Sequence, residues 1–448
     1  MPRSVAPVMV LLAFVAVSVP FVFAGCAGAE NGETHGPVFV FDGSTSGSSD
    51  GGAVNDGNGN APPNEASVTD APGSDANERN GDDGSSSDAG ASDASDGATA
   101  NCTSPTVVLA GSGSTLVGAV SIGAGAFTTQ SLTGSAVYGP ALVASSNGFE
   151  ALVAMNVDAG GGGALYGVGL SGTTWGSPAA LGGSASAIDA PAIAALGTTL
   201  QGVYLDPGHL YFHAQFSGTS WDTGADPVQV GTAPQSFGPV RAAAAAASST
   251  ELVITYEGND GHIYAQSWLT TGGWQTAVKI GDDTLATNTA PAIVALSGGT
   301  SDLLVVYALA STQATNYLNY ALRTASTKTW STPAATNGTA YTLYAPSLAP
   351  MSGGRAIVGW RGGNNLPYSM EFTPSPSPAW SVPVPMAASG NITSAPSLAT
   401  GTCGNEAVAA LATEGAVTIS TYASGAWVTP TPITGISGAS FAAIATSP

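Results

Sequence analysis

The sequence predicts an all-β domain: a seven-bladed β-propeller of four-stranded blades, closed by pairing of the C-terminal strand with N-terminal strands. Three observations lead there. A proline followed by a short apolar run recurs at Pro140, Pro191, Pro239, Pro291, Pro346 and Pro396, at intervals of 51, 48, 52, 55 and 50 residues, a period that belongs to propellers and arrays. Each interval holds further short β-rich runs separated by Gly, Asn and Asp. The two ends of the repeating region are incomplete units that complement each other.

Composition bounds the rest. The chain has 448 residues, 44% of them hydrophobic and only 8% charged, with a net charge of −21. It is too apolar to be wholly disordered. Its 8 Lys and Arg are too few and scattered for a nucleic-acid footprint. Residues 1–100 hold fourteen acids against two bases, a net −12, and the remainder nets −9. An acidic tail joined to a weakly charged body is the expected arrangement.

The N-terminus opens with Met-Pro-Arg and an apolar run from Val5 to Ala24, the shape of a secretory signal over residues 1–25. Phe23-Ala24-Gly25-Cys26 resembles the lipobox of bacterial lipoproteins. That resemblance implies acylation of Cys26 and a lipid anchor in the bacterial cell envelope, at the periplasmic face or the cell surface. Phe23 departs from the leucine common at that box position. Ordinary cleavage, or an uncleaved anchor of 20 apolar residues, are the alternatives. Residues 26–100 are rich in Gly, Ser, Asp and Asn, as in Asp82-Asp83-Gly-Ser-Ser-Ser-Asp88. Such composition cannot offset ordering entropy, so a disordered linker with a random-coil span of roughly 45–50 Å is expected. Its Asp-Gly pairs lack the full ligand spacing of a calcium loop, and its Gly-x-Ser-x-Gly match at Gly47–Gly51 has no strand before it.

The propeller is expected over residues 101–448. After each proline-marked first strand comes a second, such as Leu252-Val-Ile-Thr-Tyr256 or Leu303-Leu-Val-Val-Tyr307. A turn and a third strand follow, as in His262-Ile-Tyr264, and then a tryptophan opens the fourth: Trp175, Trp221, Trp274, Trp330, Trp380 and Trp427. No segment carries a long 3.6-residue apolar period. Arg241 and the alanines after it are helix-like, yet their place in the repeat makes them a first strand. The seventh blade combines both ends. Ser440–Ala445 fits the first strand, Thr106–Ala110 the second and Thr115–Val120 the third, with Phe127 where the tryptophan would stand. Such closure leaves no long exposed edge and makes one chain a complete, monomeric ring. Cys102 precedes the closing blade and Cys403 lies in blade 6, its neighbour, so an exported chain is expected to join them by a disulfide. That loop of about 300 residues gives a chain-entropy stabilisation of about 5 kcal/mol at most.

Glu251-Leu-Val-Ile-Thr-Tyr-Glu257-Gly-Asn-Asp260-Gly-His262-Ile-Tyr264, with Gly272-Gly-Trp274 after it, resembles the repeat of the fucose-binding and PLL-type propeller lectins. The resemblance implies sugar pockets between blades that combine Arg, Glu and an aromatic residue. Only blade 3 offers such a set: Arg241, Glu257, Asp260, His262, and Trp268 or Trp274. Aromatic faces stack on sugar C–H faces while charged and amide groups bond hydroxyls. The repeated tryptophans read more simply as inter-blade packing, and Trp268, outside that position, as the better stacking platform. The histidines are too scattered for a metal site, and no cofactor is expected. The sialidase arginine cluster and any Ser/His/Asp or Cys/His set are lacking, so catalytic residues are not assigned; Glu257 and Asp260 alone share a turn. Carbohydrate binding leads, a glycan being the expected partner. A non-enzymatic platform for an envelope protein is the alternative, and a glycan hydrolase the third reading.

Overall fold

The computed structural model describes residues 103–447, apart from 113–114, 146–147, 158–161, 183–184, 223–227, 230–241, 283–285, 311–316, 375–376 and 387–389. Arg241, Cys102, Cys26 and the expected linker lie outside the described residues.

Seven antiparallel sheets form, each in the order first–second–third–fourth strand. The first strands are short and alanine-rich: Ala141–Ser145, Ala192–Leu196, Ala243–Ser248, Ala292–Ala295, Ser347–Pro350, Ser397–Thr400 and Phe441–Thr446. Each touches the first strands of the blades before and after it, and the seven contacts close into a ring. Small side chains are what such an axis accommodates, because seven strands converge there. The alanines after Arg241 obey this rule: Ala243–Ser248 pairs with Glu251–Glu257 as a first strand despite its helix-favouring composition. Tertiary packing overrides local propensity here.

The seventh sheet joins the two ends as expected. Phe441–Thr446 runs antiparallel to Pro105–Ser112, from Gly111↔Phe441 to Thr106↔Thr446. Thr115–Ile122 and Thr128–Leu132 complete that blade. Propeller closure thus depends on one six-residue strand from the far end of the chain.

The hydrophobic core is not central. It is divided into seven clusters, each shared by two adjacent blades. Alternation along the second strand explains this. In blade 3, Leu252, Ile254 and Tyr256 pack toward blade 2, while Val253 packs toward blade 4. Both faces of each sheet are therefore buried, and these strands read as nearly continuous apolar runs.

The repeated tryptophans are wedges between blades. Trp175, Trp221, Trp274, Trp380 and Trp427 each sit at the hairpin into the fourth strand and reach the third strand of the preceding blade, and Trp330 packs against the core shared by blades 3 and 4. A Cβ added at Gly118 of blade 7 would lie 2.1 Å from Trp175 Nε1 of blade 1. One added at Gly167 of blade 1 would lie 2.4 Å from the Trp221 indole of blade 2. Further round the ring the space is filled differently: His213 meets Trp274 edge-on at 5.3 Å, Tyr320 meets Trp380 at 5.5 Å, and Trp427 Nε1 donates to Ser369 Oγ at 2.7 Å.

One rim also carries ion pairs across the blade seams. Arg323 of blade 4, its side chain 2% exposed, donates to Glu251 of blade 3 at 2.7 Å and to Asp302 of its own blade at 2.7 Å. Burial alone would raise both carboxyls, and the Arg323 hydrogen bonds, with the Lys328 charge, hold them below their ordinary values. Arg355 of blade 5 similarly spans Glu371 at 2.7 Å and Glu406 of blade 6 at 2.8 Å.

Two outcomes test this packing. Gly118→Ala should lower stability by about 1–3 kcal/mol in denaturant unfolding, the ordinary penalty of overpacking against a fixed ring. Arg323→Met should cost about 3–5 kcal/mol near neutral pH by removing the buried guanidinium that Glu251 and Asp302 share and leaving them only the exposed Lys328 ammonium as a cationic partner. Since the folded-state values of Glu251 and Asp302 are depressed, the wild type should lose this contribution as pH falls below their unfolded values near 4.5 and 3.8. The gap between the two proteins should therefore narrow in acid.

Candidate ligand-binding site

The blade 3 residues expected to bind a ligand separate into two groups. Glu257, Asp260 and His262 gather at the turn between the second and third strands. Trp268 and Trp274 pair with each other at the opposite end of the sheet. The register makes this unavoidable: Glu257 faces Ile263, whereas Trp268 faces Leu252, five residues or roughly 17 Å away along the strands. Trp268 is half-buried and packs edge-on against His213 of blade 2 at 5.2 Å, in the inter-blade core rather than as an open platform.

At the turn itself, Asp260 Oδ2 accepts from the Tyr264 hydroxyl at 2.8 Å and lies 3.7 Å from Lys279 Nζ. Partial burial would raise its carboxyl, but the Tyr264 hydroxyl, the His262 backbone N–H and the His262 and Lys279 side chains bring it below its ordinary value. Glu257 is the opposite case. It is 8% exposed, its Oε2 has no hydrogen-bond partner, and burial, with Asp260 adding to it, pushes its carboxyl up to about 7. His262 Nδ1 lies 2.8 Å from the Asp260 carbonyl, and its buried Nε2 is unpartnered. Among the described residues no group of His, Cys, Asp and Glu is arranged to hold a metal ion.

The same turn recurs in other blades with a stacked aromatic pair at its base. Tyr204 and Phe212 stack at 5.6 Å in blade 2, Tyr256 and Tyr264 at 6.0 Å in blade 3, and Trp360 and Tyr368 at 5.8 Å in blade 5. These are directly opposed cross-strand pairs, one from each strand of the hairpin.

Blade 5 turns this element into a pocket. The connector from blade 4 brings Tyr341, 39% exposed, over the turn, where a Cβ added at Gly363 would lie 2.8 Å from its ring. Tyr341 is held by bridging to Tyr317 of blade 4, and the Thr342 hydroxyl anchors the connector by donating to the Arg361 carbonyl at 2.8 Å. The resulting cavity of about 240 Å³ is walled by Tyr341, Trp360, Tyr368 and Pro383. Its polar edge is Asn364, which donates to the Tyr368 hydroxyl at 2.9 Å, and Thr339. Among the described residues no charged side chain lines it. Aromatic faces with a few amide and hydroxyl groups suit a small neutral ring carrying hydroxyls, and do not suit an ion.

Comparison with solved structures gives a likeness to the BP39L lectin from Burkholderia pseudomallei, at 14% identity and a TM-score of 0.58, covering 74% of this chain and 96% of that one. This chain shares its fold with a bacterial lectin. Looser matches are AofleA from Arthrobotrys oligospora (14% identity, TM-score 0.45, 68% of this chain and 88% of that one) and the fucose-specific lectin from Aleuria aurantia (14%, 0.42, 66% and 97%). No family model matches the sequence, and no curated protein matches it either.

Tyr341, Asn364 and Tyr368 were not visible as a site in the sequence. Their signal is the unit from Pro291 to Pro346, the longest at 55 residues, whose connector carries Tyr341 and Tyr344.

Glu257 permits a direct test of the blade 3 turn. A carboxyl raised from 4.5 to about 7 on folding stabilises the fold fully below 4.5 and loses that contribution as pH rises through about 7. Glu257→Gln should therefore match the wild type near pH 4 and exceed its stability by about 1–3 kcal/mol at pH 8. Parallel stability–pH curves for the two proteins would contradict the assignment.

Proposed function

We propose that this protein is a carbohydrate-binding propeller, presented on the cell envelope by a lipid-anchored N-terminus. One observation carries the binding reading: the uncharged pocket between blades 4 and 5, where the exposed ring of Tyr341 stands over the buried Trp360 and Tyr368 pair beside Asn364. The shared fold with a bacterial lectin supports it. A neutral pyranose would lay its C–H face on Tyr341 and exchange hydroxyl hydrogen bonds with Asn364 and Thr339. The volume is below the roughly 300–1,000 Å³ of drug-sized sites, so one sugar unit would enter, with the rest of a glycan outside.

The blade 3 turn, with Glu257, Asp260 and His262, is a second polar surface of the same propeller; Arg241, read with them from the sequence, lies outside the described residues. Anchoring rests on the position of Cys26 after the apolar run, and acyl chains would retain the protein by burying methylenes at about 0.8 kcal/mol each. We include a Cys102–Cys403 crosslink. Its support is that the Cys403 sulfur is not free and that Cys403 lines the same inter-blade space as Thr106, four residues after Cys102.

On a glycan array, the full chain should retain neutral glycans. Tyr341→Ala should weaken that binding at least tenfold, about 1.4 kcal/mol, with little change in unfolding midpoint because the ring is exposed. Failure to retain any glycan, with an envelope protein captured through the exposed Tyr341 and Leu343 instead, would replace this reading by a protein-docking platform. Cys26→Ser should move the protein from the membrane fraction to the soluble fraction of producing bacteria, and its continued sedimentation with membranes would contradict lipid anchoring.

A further inference from the structure

The rim that carries the Arg323 and Arg355 bridges also carries a carboxyl with no cation beside it. Glu150 lies near the start of the second strand of blade 1, Gly148–Val157. Phe149 and Ala151 pack toward blade 7 and Leu152 toward blade 2, so by alternation Glu150 faces the seam between blades 1 and 2. It is half-buried there, its carboxyl folded over Gly169 of the third strand, where an added Cβ would lie 2.7 Å from Oε1 and 3.3 Å from Oε2. Among the described residues it makes no hydrogen bond and no ion pair, and burial pushes its carboxyl up to about 7.

The seam between blades 5 and 6 shows the same place with its donors present. Leu170 pairs with Trp175 and Phe149 as Phe372 pairs with Trp380 and Ala356. Gly169 therefore stands at the position of Glu371, and Gly148 at the position of Arg355. Phe216 bridges to Trp221 in blade 2 as Tyr422 pairs with Trp427 in blade 6. In the blade 5–6 seam the Glu371 carboxylate accepts from Arg355 at 2.7 Å and from the Tyr422 hydroxyl at 3.2 Å. In the blade 1–2 seam glycine replaces the arginine and phenylalanine the tyrosine. Gly148 has a φ of 127°, a backbone conformation that does not admit an arginine. The blade 3–4 seam repeats the filled pattern: Ser267, at the Gly169 position, donates to Glu251 at 2.9 Å, and Arg323 donates to it at 2.7 Å. No Lys or Arg occurs between Arg79 and Arg241, so blades 1 and 2 have no such cation of their own.

We propose that the seam between blades 1 and 2 is a binding site for an external alkylguanidinium group, with the Glu150 carboxylate as its partner. The planar fork of a guanidinium matches a carboxylate with two parallel hydrogen bonds, as Arg355 and Arg323 already do in the other two seams. The alkyl stem finds an apolar wall in Val143, paired with Glu150, and in Phe216 and Trp221, 7% and 5% exposed. Glu150 gives up its proton to solvent when the cation arrives, so binding and proton release are linked. Among the described residues no second titratable side chain meets Glu150: Tyr166 faces blade 7, His213 faces blade 3, Tyr204 and Asp206 lie toward the turn rim, and Asp222, after Trp221, is exposed. The site is independent of the carbohydrate reading and of the Tyr341 pocket.

The test is calorimetric titration of the full chain with N-acetyl-arginine amide and with ethylguanidinium, against N-acetyl-citrulline amide, a neutral urea of the same shape. Both guanidinium compounds should bind one site, and the citrulline compound roughly tenfold or more weakly. Affinity should rise between about pH 6 and pH 8, as Glu150 ionises. At pH 7 the binding heat should vary with the ionisation enthalpy of the buffer, reporting the released proton, and that variation should fade near pH 9. Glu150→Gln should weaken binding roughly tenfold or more and abolish the proton release. Glu414→Gln, which removes one exposed charge from blade 6, should change neither, and Tyr341→Ala should bind as the wild type does. Should Glu150→Gln fail to fold, the proton release and the citrulline comparison on the wild type decide the question. Tighter binding of the arginine amide than of ethylguanidinium supports the site as a receptor for an arginine of a protein partner, and equal binding supports it as a receptor for a free guanidine. The proposal is overturned if neither guanidinium compound binds, if the citrulline compound binds as tightly, or if Glu150→Gln keeps full affinity, which would mark diffuse attraction to a chain of net charge −21.

Discussion

Everything in this molecule depends on the antiparallel pairing of Phe441–Thr446 with Pro105–Ser112. Without it the chain would be an open array of sheets, with an unpaired edge at either end and the core between blades 6 and 7 split open. With it, every blade has two neighbours, every second strand is buried on both faces, and every space between blades has a fixed width. The cavities between blades are consequences of that geometry. They form where adjoining sheets fail to fill the gap between them.

Two devices fill the gaps elsewhere. Tryptophan wedges take up variable space, and the partner position adapts to them: no side chain at Gly118 and Gly167, a hydroxyl at Ser369, a ring at His213 and Tyr320. On one rim, Arg323 and Arg355 spend two of the chain's few positive charges as bridges across blade seams. A breathing interface would expose these paired carboxylates to solvent one at a time, so the bridges couple neighbouring blades. The blade 4–5 pocket lies at the end of its seam away from the Trp380 wedge, and among the described residues no charged side chain lines it.

The architecture was legible in the sequence because ring closure imposes repetition. The prolines mark first strands, the tryptophans mark fourth strands, and the half-units at Thr106–Val120 and Ser440–Ala445 could be joined only as one blade. Even the alanines after Arg241 followed the repeat rather than their propensity. The proposed ligand site was much less legible. Glu257 and Trp268 are close in sequence and look like one constellation, but the third strand carries Trp268 away from the turn to the other rim. Tyr341 and Tyr368 are distant in sequence and meet because a connector belonging to one blade folds over the turn of the next. Inter-blade sites are assembled from two units, and reading one unit at a time conceals them. The Cys102–Cys403 pairing expected from the ring order falls on Cys102, which lies outside the described residues.

The account stands on inter-blade recognition of a neutral sugar, and a crystal structure of the full chain with its best-retained glycan tests that most directly. The account predicts a pyranose face against the Tyr341 ring, with hydroxyls at Asn364 and Thr339. A glycan bound solely at the Glu257–Asp260 turn, with the Tyr341 pocket filled by water, would contradict it.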